Sequence, residues 1–188
     1  MILKETNELE NIYKDMVLQF PPKELKPLCD FEELLGENYR LYECIHGKCR
    51  AGYFFVFEMK DYILLDYFAI YKNMHAKGFG SMILSLLRDN FSDKKGCFLE
   101  VEKPNEQDIN TIRRINFYNK NGAVKLDIPY LYPAEDKPFP MDLYYIPFDG
   151  KIVFIEETKK FVKALFKCVH KKNPNIENIL LEIFCNVE

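Results

Sequence analysis

The residues best suited to chemistry lie in one short stretch, Phe68-Ala69-Ile70-Tyr71-Lys72-Asn73-Met74-His75-Ala76-Lys77-Gly78-Phe79-Gly80-Ser81. A strand-forming run leads into a loop with two glycines, and a helical pattern starts at once. A helix N-terminus carries about half a positive charge and up to four unpaired N–H groups. An anion, above all a pyrophosphate, finds both there. Gly78 and Gly80 remove side chains where a backbone must approach such a ligand. Lys77, and His75 when protonated, add charge-assisted contacts. The plain alternative is a strand-to-helix connection that happens to contain G-x-G. The dinucleotide fingerprint is excluded because its third glycine is missing, and a P-loop because no Gly-Lys-Ser/Thr follows.

Three carboxylates form a second candidate set. Asp66 interrupts the apolar run Ile63-Leu64-Leu65-Asp66-Tyr67-Phe68, where an unpaired charge is costly. Glu100 and Glu102 alternate with Leu99 and Val101, so both point to one face of a strand. Two acids on one face suggest a polar cleft, and closeness raises one pKa towards a value useful to a base. Against this, Glu102 at a wet strand end and Asp66 paired with a Lys or Tyr are structural readings. His46 and His170 read as solvated, one in a turn and one near a helix end.

The elements that must position these groups follow from periodicity. Met1–Lys4 reads as a strand and Glu8–Phe20 as an amphipathic helix stopped by Pro21-Pro22. A second helical pattern runs through Leu25, Leu28, Phe31, Leu34 and Leu35 to a C-cap at Gly36. Tyr39–Ile45, Arg50–Glu58 and Tyr62–Tyr71 form an antiparallel meander. A helix covers Ser81–Arg88, a strand Cys97–Glu102 and a helix Ile109–Asn119. Strands at Val124–Ile128 and Met141–Phe148 flank a Pro-rich loop, Tyr130–Pro140, whose Tyr130, Tyr132 and Phe139 suit either an amine pocket or packing. Beyond Asp149-Gly150 come a short strand, Ile152–Ile155, and helices Glu157–Lys171 and Asn175–Cys185. The expected division is a domain over residues 1–150 and a strand/helical extension over 151–188 packed on that domain.

Composition sets limits. The chain has 188 residues, 48% hydrophobic and 29% charged, with 16 Phe and 12 Tyr, enough for a real core. A net charge of −3 and a pI near 5.7 give no basic field for nucleic acid. No apolar run reaches membrane-spanning length, and the N-terminus lacks a signal-peptide pattern. Six cysteines contain no C-x-x-C pair and no His cluster to complete a zinc set. They read as free buried thiols of a cytoplasmic protein, with no metal.

His75-Ala76-Lys77-Gly78-Phe79-Gly80 resembles the acetyl-CoA-binding motif of the GNAT N-acetyltransferase superfamily, Arg/Gln-x-x-Gly-x-Gly/Ala after a strand, with His at the first position. Phe117-Tyr118-Asn119-Lys120-Asn121-Gly122-Ala123 resembles a second motif of that superfamily, at the end of the next helix but one in the order expected. Leu99-Glu100-Val101-Glu102-Lys103-Pro104 and Arg113-Arg114-Ile115-Asn116-Phe117-Tyr118 are similar to one bacterial branch of it. The resemblance covers roughly residues 1–148. Thr111 stands where the usual Asn is found, seven residues before the Tyr.

The resemblance implies an α/β (α+β) fold, the GNAT acyl-CoA N-acyltransferase fold, with a mixed, mainly antiparallel sheet flanked by helices and a C-terminal helical extension. It implies an acyltransferase moving acetyl from acetyl-CoA to a primary amine by direct transfer in a ternary complex. The cofactor is acetyl-CoA, and the acceptor is a small-molecule or peptide amine. Phe68, Ala69 and Ile70 would lie along the pantetheine. His75, Ala76, Lys77, Gly78, Phe79, Gly80 and Ser81 would hold the pyrophosphate, with Phe117 and Tyr118 also at the cofactor. Tyr118 would protonate the leaving thiolate, with Glu100, Asp66 or Glu102 as the base. Arg113-Arg114 would reach the cofactor's 3′-phosphate or solvate a helix face. A monomer or homodimer is expected. The competing class is a non-catalytic acyl-CoA-binding or interaction module.

Overall fold

The computed structural model describes residues 1–134 and 136–185. The chain divides into two compact units, Met1–Asp93 and Lys94–Glu188.

In the first unit, strands β1 (Ile2–Glu5), β2 (Tyr39–His46), β3 (Cys49–Glu58) and β4 (Tyr62–Ile70) pair antiparallel in sequence order. β2 and β3 meet through a two-residue turn with Gly47 at φ 62°, the geometry a tight hairpin requires. Helices α1 (Leu9–Gln19) and α2 (Leu28–Leu34) follow β1, and α3 (Phe79–Asn90) follows β4. α2 is shorter than its apolar spacing suggests. Residues 22–24 form a turn instead, in which the N–H groups of Glu24 and Leu25 both donate to the Pro21 carbonyl. Pro27 restricts the residue before it and becomes the N-cap. Gly36 is not the C-cap: Leu35 is, and the Gly36 N–H donates to the Tyr39 carbonyl.

Aromatic rings fill both faces of this sheet. Tyr39 and Phe55 stack at 5.6 Å, and Phe55 and Phe31 of α2 lie 4.9 Å apart. On the other face Tyr42 stacks on Phe54 at 5.3 Å and meets Phe91, just beyond α3, at 6.0 Å. Full burial of each such ring contributes roughly 1.5–3 kcal/mol.

In the second unit, β8 (Phe139–Pro147) is the central strand. It pairs antiparallel with β5 (Gly96–Glu102), β6 (Val124–Lys125) and β7 (Leu131–Tyr132). Helix α4 (Ile109–Lys120) joins β5 to β6. The strand expected over Val124–Ile128 stops at Lys125, because Ile128 N–H turns back to the Leu126 carbonyl and Pro129 has no N–H to offer. The Pro-rich loop contains β7, which lengthens β8 to Phe139.

No strand forms at Ile152–Ile155. Ile152 and Phe154 are exposed and only Val153 is buried, too little apolar burial to hold a strand, and helix α5 (Ile155–Val169) starts within that range. The buried residues of α5, Thr158, Phe161, Val162, Leu165, Phe166 and Val169, repeat at three and one, the stripe of an amphipathic helix. Phe161 stacks on Phe98 of β5 with centroids 4.0 Å apart. Helix α6 (Ile176–Phe184) packs on α5 through Ile179, Leu180 and Ile183. Among the described residues no helix is long and apolar enough to cross a membrane.

The thiols divide. Cys44 and Cys97 are buried, whereas Cys29, Cys49, Cys168 and Cys185 are exposed, which corrects the expectation of six buried cysteines. Burial pushes the Cys44 thiol up to about 12, so it stays protonated and inert.

Candidate active site

The first unit carries the anion cradle. Tyr53 opposes Ala69 and Phe55 opposes Asp66, so Tyr67 and Phe68 together face Phe54. This β-bulge puts Tyr67 at φ 46°, a conformation that a bulky residue adopts only when its surroundings hold it there. The surroundings are explicit. The Tyr67 ring meets Phe20, Phe31 and Phe55 at 5.2, 5.1 and 6.1 Å. Its hydroxyl donates to the Glu24 carbonyl at 2.5 Å and accepts from Lys26 N–H at 3.2 Å. The extra residue sends the neighbours Asp66 and Tyr67 to the same side, that of α1 and α2, and Phe68 to the Phe54 side, 6.5 Å from that ring.

Beyond Ile70 the chain makes a 3₁₀ turn, Lys72–Met74, and the loop 75–78 before α3. Ala76 at φ 60° and Gly78 at φ 79° are left-handed. Such alternation is the conformation in which successive N–H groups line one concavity. Gly78 caps α3, with no side-chain cap and nothing within 4 Å of the position a Cβ would take. Among the described residues, no backbone N–H from Ala76 to Ser81 donates to a protein acceptor. Residues 75–78 are exposed. The helix begins at Phe79, two residues earlier than its apolar pattern suggests, so Phe79, Gly80 and Ser81 form its first turn. Phe79 is buried, with its ring 5.0 Å from that of exposed His46. Lys77 Nζ donates back to the Asn73 carbonyl at 2.9 Å. The His75 ring closes on the Ile70 carbonyl at 2.7 Å, and Gln19 Nε2 donates to the same oxygen at 3.3 Å.

Underneath, Gly52 opposes Ile70 in β3. A Cβ there would stand 2.5 Å from the Ala69 carbonyl and 3.2 Å from Ile83 of α3, so only glycine lets strand and helix approach. This support was not singled out from the sequence, although a lone glycine inside a strand run signals close approach.

Asp66 is committed elsewhere. It accepts from the Tyr39 hydroxyl at 2.6 Å and lies 4.0 Å from Lys26 Nζ, both side chains about one-tenth exposed. Lys26 Nζ also sits 5.2 Å above the Tyr67 ring. The paired, structural reading of Asp66 therefore describes its surroundings, and the carboxylate ties α2's leading segment to the bulge.

The second unit holds the other candidates. Tyr118 lies in the last turn of α4, 8% exposed, beside Phe117 with centroids 5.3 Å apart. Burial pushes its phenol up to about 12; the Arg114 guanidinium opposes this, and Glu102 and Cys97 reinforce it. Among the described residues its hydroxyl has no hydrogen-bond partner, so the capped-hydroxyl reading does not hold. Thr111 accepts from Asn105 N–H at 2.9 Å and donates to the Asp108 carbonyl at 2.8 Å, so it closes the loop into α4. Arg113 is exposed, whereas Arg114 pairs with Glu102, which makes Glu102 the partner of a helix cation.

Glu100 is the buried acid of that strand face. One carboxylate oxygen accepts from the Tyr130 hydroxyl, and the other lies 3.6 Å from His170 Nε2. His170 is 5% exposed, which corrects its reading as solvated: as the C-cap of α5, it is carried in by that helix's apolar stripe. Tyr130, Tyr132 and Phe139 are packing groups. Tyr130 meets Phe166, and Tyr132 meets both Phe139 and His170, at 5.0–6.0 Å.

No family model matches the chain. A solved GNAT-family structure from Bacteroides thetaiotaomicron, to which acetyltransferase activity is ascribed, superposes with a TM-score of 0.76 at 23% identity, covering 90% of this chain and 98% of that one. The chain has the GNAT fold. The same fold recurs in an aminoglycoside 6′-N-acetyltransferase solved with coenzyme A, at a TM-score of 0.58 and 13% identity, covering 81% of this chain and all of that one. By sequence, the GNAT-fold chain is 30% identical over 110 residues to YjbC of Bacillus subtilis, to which acetyltransferase activity is also ascribed; the match spans 58% of this chain and 55% of that protein.

Proposed function

We propose that this chain is an acyl-CoA-dependent N-acetyltransferase that moves acetyl from acetyl-CoA to a primary amine by direct transfer. The observation that carries this reading is the row of undonated N–H groups from Ala76 to Ser81 at the start of α3, in a chain with the GNAT fold. These residues fit a pyrophosphate: the cradle is exposed, Gly78 leaves it without a side chain, and the α3 dipole favours negative charge. Phe68, Ala69 and Ile70 are the backbone assigned to the pantetheine, and Phe117 and Tyr118 are assigned to the cofactor by the resemblance alone. When bound, acetyl-CoA supplies the activated acyl group and a thiolate leaving group.

The chain's own residues handle the protons. The acceptor ammonium must lose one, and Glu100 is the acid we assign to take it. Tyr118 keeps its proton throughout the neutral range, because burial disfavours the phenolate, and it is the donor assigned to the thiolate. Asp66 and Glu102 are set aside as bases, since each is held by a cation of its own. The acceptor is a small-molecule or peptide amine.

Thiol release from acetyl-CoA, followed with a polyamine, an amino sugar and a short peptide in turn, tests the assignment. Amine-dependent release supports it. Tight acetyl-CoA binding with no release from any amine would favour the non-catalytic binding module instead.

A further inference from the structure

His170 belongs to no motif, yet it is buried in the second unit. Its side chain is 3% exposed, that of Glu100 is 6%, and their Nε2 and Oε2 atoms stand 3.6 Å apart. That is an ion-pair separation rather than a hydrogen bond. The groups facing His170 among the described residues include Glu100 from β5, Tyr132 from β7 and Phe166 one turn earlier on α5. Tyr130, just before β7, reaches the same carboxylate from its other oxygen. Lys167 and Lys171 on either side along the chain are exposed, and Asn173, in the turn towards α6, donates its N–H to the His170 carbonyl.

Docking α5 does not require this pair. Phe161 on Phe98, with Leu165 and Phe166 buried beside it, already anchors the helix. A buried pair of titratable groups costs desolvation that apolar packing avoids, so its place in the fold calls for another explanation. We propose that His170 is a positioning residue for Glu100, which orients the carboxylate and receives the proton that Glu100 takes from the acceptor ammonium. The proposal rests on the acetyl-transfer reading for its purpose, but the coupling of the two groups does not.

The step balances. An N–H bond of the ammonium breaks and an O–H bond forms on Glu100, leaving the amine lone pair free. The proton then passes to Nε2 of neutral His170, restoring the carboxylate, and the imidazolium later yields it to water. The carboxylate favours the imidazolium electrostatically, and the Tyr130 hydroxyl, donating to the other oxygen, favours the ionised carboxylate. Helix α5 thereby supplies half of a two-group base.

The test uses the full chain. The imidazole resonances are followed against pH by NMR in the wild type and in Glu100→Gln, with His170→Gln identifying the His170 signal. The expected result is a fall of about one pH unit or more in the His170 midpoint when the carboxylate charge is removed. In the same series His170→Gln should bind acetyl-CoA within about twofold of wild type, while the acid limb of its kcat/KM profile for thiol release moves. An unchanged His170 midpoint in Glu100→Gln, or a superimposable pH profile in His170→Gln, overturns the proposal. A wild type that binds acetyl-CoA but releases no thiol with any amine overturns the transfer reading and the proton-receiving role with it; coupling is then judged by the NMR midpoints alone.

Discussion

The ring Nε2 of His75 lies 2.7 Å from the carbonyl oxygen of Ile70, so the side chain at the head of the cradle folds back onto the end of β4. The loop between them is thereby closed as a short ring of backbone and imidazole. His75 is exposed, and on the proposed reading it holds Ala76–Ser81 in place before a ligand arrives. One hydrogen bond of this kind is worth about 0.5–1.5 kcal/mol, so His75→Ala should weaken coenzyme A binding by about twofold to tenfold. Calorimetry measures this. Unaltered affinity would mean that the loop holds its shape without the staple.

Asp66 gives a prediction of the opposite kind. Its carboxylate is bound to Tyr39 and lies beside Lys26, so Asp66→Ala leaves a largely buried ammonium without its counter-charge. The expected cost is about 3 kcal/mol, seen as a lower Tm or urea midpoint. Asp66→Asn, which still accepts from Tyr39, should cost less. Acetyl-CoA affinity of the folded variants should change little. A stable Asp66→Ala variant that binds acetyl-CoA normally but turns over poorly would return Asp66 to the list of bases.

Tyr118 links stability to pH. Its phenol is raised from 10.0 to about 12 by burial, so the native state holds that proton more tightly than the unfolded chain does. The stability that this contributes is complete below pH 10 and is lost as pH rises from 10 to about 12. Tyr118→Phe should remove that part of the alkaline loss, leave acetyl-CoA affinity near wild type, and lower thiol release by roughly 10²-fold or more. Alkaline unfolding curves, calorimetry and steady-state rates measure the three in turn. Wild-type turnover in Tyr118→Phe would exclude it as the acid.

Much of this was legible in the sequence, for physical reasons that vary by element. Alternation marks β2, runs of β-forming residues mark β3 and β4, and three-and-four spacing marks α1, so their placement needs no tertiary information. Gly122 sits at a left-handed position, φ 88°, that follows from glycine's place at a helix C-terminus. What failed depended on partners distant in sequence. The short strand after Lys151 needs a neighbour to pair with, and apolar residues alone do not supply one. The bulge at Tyr67 leaves no mark in a run of aromatic residues, yet it decides which way Asp66 points. His170 looks solvated beside Lys171 and Lys172; only the docking of α5 on β5 brings it to Glu100, 70 positions earlier in the chain. The glycine-rich loop announced itself by composition, whereas the supporting contacts from Gly52 and Gln19 come from segments that carry no motif.

If the free amides of Ala76–Ser81 grip the pyrophosphate of coenzyme A, amide NMR of the nitrogen-15-labelled chain reads the contact. On titration with coenzyme A, these amides should show saturable shifts. Gly78→Val, which forces a β-branched residue into φ 79°, should weaken binding by at least tenfold. Amides 76–81 that stay unmoved at saturating coenzyme A, or a Gly78→Val chain that binds as tightly as wild type, would contradict it.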